Sequence, residues 1–293
     1  MTTTAEVVVL GSLHYDIMVE APDRPRKGET LPGRSWYPKT GGKGGNQAIA
    51  ARRAGAGVAM IGAVGRDAFG AALLASLDAA GVDRSGVAEL AAASGMSVAI
   101  IDPDGDYGAI IVSGANLTLD AAVADRHAAL IEQSRVLVLQ NEVPDAANVA
   151  AATRARSGRA VTILNAAPAR DPVPELPGLV DLLVVNAVEA EMLGGGAVSK
   201  LREALAAAVL LLDRFGAVVV TAGGAGLAYA DRAGTRTSIE ALPVDVVSTH
   251  GAGDVFVGTL AAKLAREATM TEALEAANAA SAAHVAGHAS ATP

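Results

Sequence analysis

The chain has 293 residues, no cysteine, 23 Lys and Arg against 31 Asp and Glu, and a formal net charge of −8; 51% of it is apolar and only 3% aromatic. That length suits one large α/β domain with a small appendage, and the absence of cysteine excludes a disulfide framework, a thiolate metal site and a thiol nucleophile. The acidic balance with no basic run speaks against a nucleic-acid binder, and no segment reaches the ~18 apolar residues of a membrane span.

The N-terminus, Met1-Thr2-Thr3-Thr4-Ala5-Glu6, lacks the basic start and apolar stretch of a secretory signal, which predicts a cytoplasmic protein. Short β-branched runs then predict buried strands at Val7–Leu10, Val58–Ala63, Val136–Gln140, Ala160–Asn165, Leu182–Val185 and Ala217–Thr221. Ala-rich stretches between them predict helices near Gly45–Ala54, Phe69–Ala80, Ala121–Ser134, Ala146–Ser157 and Lys200–Arg214. Such alternation means a mostly parallel sheet covered on both faces, with ligands beyond the carboxyl ends of its strands. Two regions break the pattern. Residues 13–40 are rich in Pro, Gly and charge, with strand-like pieces at Ile17–Glu20 and Thr30–Tyr37. A hairpin is predicted from Ser97–Ile101, through the turn Asp102-Pro103-Asp104-Gly105, to Tyr107–Ser113. Neither piece has the apolar mass for its own core, so the two are expected to form one small sheet. This divides the chain into a main domain of residues 1–11, 41–94 and 115–293 and a lid of residues 12–40 and 95–114. The Pro-rich stretch Pro168–Pro177 reads as a connection between strands.

Four segments could carry chemistry. In Val246-Val247-Ser248-Thr249-His250-Gly251-Ala252-Gly253-Asp254, a strand gives way to small residues and a long helix begins near Ala252. Unpaired N–H groups at a helix start hold anions, and glycines let a phosphate approach the backbone. Asp254 in the first turn can take a proton from an attacking hydroxyl, or it can simply cap the helix. Thr40-Gly41-Gly42-Lys43-Gly44-Gly45-Asn46-Gln47 places four glycines around a lysine ahead of a helix; without a Gly-Lys-Ser/Thr ending it is no Walker loop. Its Lys43 and Asn46 can hydrogen-bond hydroxyls, or the segment is an ordinary flexible turn. Asn186 and Glu189, three apart after a strand, could order a hydrated Mg2+ or form a helix cap. Thr221-Ala222-Gly223-Gly224-Ala225-Gly226 is a glycine turn after a strand.

Together these segments resemble the ribokinase-like (PfkB) family of carbohydrate kinases, in family order and over nearly the whole chain. Further matches are Gly11-Ser12 with Asp16, Gly114-Ala115-Asn116, Glu142 and Asn165-Ala166-Ala167-Pro168-Ala169. The resemblance implies a three-layer α/β sandwich with a mostly parallel central sheet and a small β-sheet lid, a homodimer paired through that lid, and transfer of the γ-phosphoryl group of ATP to a sugar hydroxyl. By position, Asp254 is the implied base and Gly251, Ala252 and Gly253 the implied anion hole. His14, Asp16, Gly42, Lys43, Asn46 and Glu142 fall at sugar contacts. Asn186, Thr221, Gly223, Gly224, Gly226 and Asn278 fall at ATP contacts, with Glu189 near Mg2+.

The chain departs from the family pattern in three places. His14 stands where members acting on ribose usually carry Asn, which opens the acceptor to other sugars or to a nucleoside whose base the imidazole would stack on. Ser248 and His250 occupy the segment where the family holds a monovalent cation beside an aspartate. Ser248 carries no charge, and Asp245, three residues earlier on an expected strand, would face the other way, so weak dependence on K+ is expected. The chain stops at His288-Ala289-Ser290-Ala291-Thr292-Pro293, which leaves the adenine side and the cation loop more open in expectation. Two readings from other classes compete. A catalytically silent sugar-binding protein would have no need of Asp254, and a nicotinamide-dependent oxidoreductase lacks its glycine fingerprint after Val7–Leu10.

Overall fold

The computed structural model describes residues 5–103 and 107–287. Along the chain the strands are β1 (Val7–Leu10), β2 (His14–Glu20), β3 (Ser35–Gly41), β4 (Val58–Gly65), β5 (Asp83–Leu90), β6 (Gly95–Ile101), β7 (Tyr107–Val112), β8 (Val136–Gln140), β9 (Val161–Asn165), β10 (Leu182–Asn186), β11 (Ala217–Thr221), β12 (Leu227–Asp231) and β13 (Arg236–Ile239). The helices are α1 (Lys43–Arg53), α2 (Ala68–Ala80), α3 (Ala122–Arg126), α4 (Ala128–Gln133), α5 (Asp145–Gly158), α6 (Ala187–Ala190), α7 (Leu201–Leu211), α8 (Ala252–Ala265) and α9 (Met270–Val285).

Nine strands make the main sheet in the order β13-β12-β11-β10-β9-β8-β1-β4-β5. Pairing is parallel from β11 to β5 and antiparallel only at the β11-β12-β13 edge. Its central strands are buried on both sides, which is why they read as unbroken apolar runs rather than alternating ones. Successive side chains still point to opposite faces. Val7 and Val9 pack with α1, α2, α8 and α9, whereas Val8 and Leu10 pack with α5 and α7. The result is the expected helix–sheet–helix sandwich with a core on each side of the sheet.

The helices are built for close approach. A Cβ on Gly258 of α8 would lie 2.5 Å from the Gln47 carbonyl oxygen and 2.6 Å from the Ala50 Cβ of α1. The anchoring bulk comes from a few large side chains, among them Phe256 and Leu260 of α8 and Leu73 and Leu77 of α2, all buried. Each contributes about 1.5–3 kcal/mol by leaving water.

The second sheet runs β3-β2-β6-β7, so the two excursions form one small sheet as expected. β2 joins them, antiparallel to β3 and parallel to β6, with His14 opposite both Gly41 and Gly95. Several predicted elements differ in detail. The strand expected at Thr30–Tyr37 forms only from Ser35 and runs on to Gly41, because Pro22, Pro25 and Pro32 keep the preceding stretch out of a ladder. The helix expected over Ala121–Ser134 is two pieces interrupted at His127, whose φ of −117° is not helical. No strand forms before Gly251: residues 240–250 are irregular, held to α9 by the amides of Val247 and Ser248 on the Val285 carbonyl. Asp245 therefore lies on no strand, and the alternation of a strand does not set which way it faces. Asp104, Gly105 and the terminal stretch from His288 lie outside the described residues.

Candidate active site

Every parallel strand from β1 to β11 ends in polar or glycine residues on one rim of the main sheet: Gly11-Ser12 after β1, Gln140 to Glu142 after β8, Asn165 of β9, Asn186 of β10 and Thr221 of β11. The register holds them level, with Gln140 opposite Asn165 and Asn186 opposite Thr221. Strand carboxyl ends are where open α/β sheets bind ligands, and the small sheet stands over this rim because β2 follows β1 after three residues.

Asp254 lies in the first turn of α8 and is buried. It does not cap its own helix; the N-cap is Gly251, in the left-handed region at φ 81°, with no side-chain cap. The carboxylate is held by α1 instead. Asn46 Nδ2 donates to Oδ2 at 3.0 Å, and Gln47 Nε2 donates to Oδ1 at 2.9 Å. Burial raises the Asp254 pKa above the ordinary carboxylate range, while Lys43 and the two amide donors oppose that rise. A buried carboxylate with a raised pKa beside a helix start is suited to accept a proton near neutral pH.

The helix start is open. Space is clear in front of Gly253, where a Cβ would meet nothing within 4 Å. First-turn amides of a helix have no intrahelical acceptor. Of the three residues assigned to the anion hole, Ala252 already donates to the Thr249 carbonyl at 3.2 Å.

Residues expected at the sugar lie along the same rim. Glu142 Oε2 accepts the Lys43 amide at 2.9 Å and the Ser12 hydroxyl. Buried His14 points Nδ1 at that oxygen from 3.7 Å, and its Nε2 is buried without a hydrogen-bond partner. Asp16 accepts from Ser97 Oγ across to β6 at 2.5 Å. Gly42 is the N-cap of α1 at φ 85°, and a Cβ there would meet the backbone of Leu13 and His14 at 2.7–2.8 Å, so only glycine fits this turn. The helix accordingly starts at Lys43, two residues earlier than its apolar pattern indicates. A cavity of about 450 Å3 opens beside His14 and Glu142 toward Ile111, Leu117, Asp145 and Arg170.

Of the residues expected at ATP and Mg2+, Asn186 and Glu189 form a capping box. Glu189 Oε2 accepts the Asn186 amide and Asn186 Oδ1 accepts the Glu189 amide, each at 2.9 Å. The helix-cap alternative is thus present, and burial also raises the Glu189 pKa. Gly223 and Gly224 face open space, while Gly226, at φ 112°, is packed against the 239–241 backbone. Asn278 Nδ2 donates to the Glu240 carbonyl at 2.9 Å, at that same edge. Ser248 is exposed and its hydroxyl accepts the His250 amide at 3.3 Å; the His250 carbonyl is 2.8 Å from His284 Nε2. Among the described residues no group of three or more His, Cys, Asp or Glu is placed to hold a metal ion.

Gln47 and Asn165 lie in the sequence motifs and Gln140 ends a predicted strand, but sequence reasoning gives none of them a role. Fully buried Gln47 also donates to Asn165 Oδ1 at 3.0 Å and accepts from Gln140 Nε2 at 2.8 Å, forming a polar layer beneath Asp254. A polar residue on an otherwise apolar helix face (Gln47 beside Ala48 and Ala51) is the signal that could have found it. Gln47→Leu is expected to cost about 1–3 kcal/mol, because Asn165 and Gln140 lose their partner in the dry interior. It also removes a bond that favours ionised Asp254, so the acid limb of kcat/KM moves to higher pH. A pH–rate profile checks this; an unmoved limb would leave Gln47 a packing role alone.

Comparison with known proteins places these features in context. A family model described as pfkB family carbohydrate kinase matches residues 4–293. The ribokinase of Mus musculus is 37% identical over 267 residues, covering 89% of this chain and 82% of the relative. That of Haemophilus influenzae is 33% identical over 278 residues, covering 94% and 90%. The structure of Arabidopsis thaliana ribokinase complexed with ribose and ATP superposes with a TM-score of 0.90 at 28% identity, covering 97% of this chain and 93% of that one.

Proposed function

Because the chain belongs to the pfkB family of carbohydrate kinases, it is an ATP-dependent sugar kinase, and we propose that its acceptor is ribose or a related sugar, with Asp254 as the general base. The observation that carries this is the Asp254 carboxylate, buried in the first turn of α8 and oriented by Asn46 and Gln47, beside open helix-start amides.

In this reading the sugar lies against Asp16, Gly42, Lys43, Asn46 and Glu142. Asp254 takes the proton of the attacking hydroxyl, while the amides around Gly251–Gly253 stabilise charge on the transferring phosphoryl group. Positioning and preorganised amides carry most of such a rate, since phosphoryl transfer leaves little covalent work for the protein. Open space at Gly223 and Gly224 and the edge held by Asn278 fit the nucleotide. Glu189, one carboxylate oxygen engaged by its capping box, fits an outer contact to hydrated Mg2+ rather than a direct ligand. When bound, that ion would neutralise charge between the β- and γ-phosphates. Ser248 and His250 offer no carboxylate, which supports weak activation by K+. We take the four-stranded sheet as the lid that excludes water on closing. Its exposed Trp36 (67%) and Ile110 (75%) support pairing of two copies through it. No helix of the described residues is long and apolar enough to cross a membrane; we place the protein in the cytoplasm, where its phosphoryl donor ATP is available.

A nucleoside acceptor is the second reading, and the cavity beside His14 and Glu142 favours it by leaving room for a substituent on the sugar. An ADP-release screen over pentoses, hexoses, sugar phosphates and nucleosides decides between them. Free pentoses are expected to give the highest kcat/KM, and His14→Asn to raise it for ribose by about tenfold, one good hydrogen bond. Turnover confined to nucleosides would establish the second reading; no turnover of any acceptor would overturn both.

A further inference from the structure

A second cavity, of about 590 Å3, runs between α1, α8 and α9. It starts at Lys39, Asn46 and Gly251 and ends at Arg53 and Lys263. From Gly251 to Lys263 is twelve helical steps, ~18 Å along α8. Its floor is Ile49, Ala50, Val255 and the Ala276, Ala279 and Ala280 face of α9. Small side chains on three neighbouring helices leave the space, which lies within the ~300–1,000 Å3 of small-molecule sites.

The charge of this groove is unlike that of the rest of the molecule. The chain carries −8 overall, yet no Asp or Glu among the described residues lines the cavity, whereas Lys39, Arg53 and Lys263 do. None of the three makes a salt bridge among the described residues. By contrast Arg84, Arg126, Arg135, Arg154, Arg170 and Arg214 each sit within 4 Å of a carboxylate. His250 and His284 add two imidazoles at the same end as Lys39. The His250 pKa is lowered, first by burial and then by Lys39, in keeping with a positive surrounding that Asp16 only partly offsets. Lys39 has the charges of Asp16 and Asp254 near it, whereas Arg53 and Lys263 flank the apolar floor without a carboxylate partner among the described residues, which matches a ligand with an anionic group on an apolar or ring-shaped body. The near end of the groove, at Asn46 and Gly251, belongs to the site already described, whereas Arg53 and Lys263 at its far end are assigned to neither acceptor, ATP nor anion hole.

We propose that the far end of the groove between α1, α8 and α9 is a second ligand site, which takes an organic phosphate ester, its phosphate on Arg53 and Lys263 and its apolar body on the alanine floor.

Phenyl phosphate, a ring bearing one phosphate, is the probe. It is titrated calorimetrically into the whole protein saturated with a non-hydrolysable ATP analogue and acceptor, so that the catalytic anion turn is filled. Saturable binding is expected, weakened about tenfold or more in Arg53→Ala/Lys263→Ala. The charge-keeping pair Arg53→Lys/Lys263→Arg should retain it, and neutral phenol should bind far more weakly. ATP and acceptor KM stay unchanged in both variants, which also shows that they fold. No heat at millimolar probe, binding abolished by the ATP analogue, or affinity indifferent to the two charges would each overturn the proposal.

Discussion

Asp254→Asn is expected to lower turnover by about 10²- to 10⁴-fold, the usual contribution of a positioned general base, while the acceptor still binds. Asparagine keeps the volume of the side chain, and its carbonyl oxygen can still accept from Asn46 or Gln47, so the turn before α8 has no steric reason to move. What is lost is the capacity to hold a proton. Steady-state ADP release gives kcat, and calorimetry with the acceptor gives its Kd; a drop in kcat with Kd within a few-fold is the signature of a group used in the transition state. Turnover within tenfold of the parent would remove Asp254 from the proposed mechanism. The pH dependence has a definite sign. Burial raises the pKa of Asp254, so wild-type activity falls as pH drops through a value above the ordinary carboxylate range. The residual rate of the Asn variant should lack that limb. The same shift acts on the fold: the ionisation penalty is absent below the ordinary carboxylate pKa and complete above the raised one, so neutral pH carries a stability cost.

The second large effect belongs to Gly44→Ala. Gly44 lies in the first turn of α1 without a left-handed φ, so alanine can adopt its backbone, and helix propensity alone favours the change by about 1 kcal/mol. Packing reverses the sign. The new Cβ would sit 2.7 Å from the Gly11 carbonyl carbon and the Ser12 nitrogen, and 2.8 Å from the Gly11 Cα, all backbone atoms at the end of β1 that have no rotamer to yield. Such overpacking costs about 1–3 kcal/mol, more than the propensity gain. The helix must back away, and with it go Lys43, whose amide binds Glu142, and Asn46 and Gln47, which hold Asp254. Displacement approaching 1 Å can cost ~10²-fold in rate. Denaturant unfolding should show a lower midpoint and kinetics a lower kcat. A variant as stable and as active as the parent would mean that α1 is not fixed by this contact.

Both effects separate what local sequence specifies from what assembly adds. The strands of the main sheet were legible because β1, β8, β9, β10 and β11 are buried on both faces, and burial demands continuous β-branched runs that few other environments tolerate. The edge strands β5 and β13 were not, since half-exposed strands carry mixed residues such as those of Asp83–Leu90, and neither was buried β12, whose alternate alanines are weak strand formers. Val246 and Val247 read as the end of a strand and are not part of one. Their β-branched side chains favour extended backbone, but no neighbouring strand reaches them, and the two amides that bind Val285 are their substitute for a ladder. At His127 a helical pattern gives way to a break that no proline or glycine marks.

From its residues alone this chain fixed a buried parallel sheet, a glycine turn opening a helix at Asp254, and the ordered motifs of its family, because these depend on burial periodicity and on backbone freedom within a few residues. Tertiary structure decided the rest. Asn46 and Gln47 meet Asp254 across 208 and 207 positions, Glu142 meets the Lys43 amide across 99, and the groove cations Arg53 and Lys263 come from different helices. Local propensity reaches only neighbouring residues, whereas contacts at such separations are set by the order in which strands take their places in the sheet, and so by the packing of the whole chain.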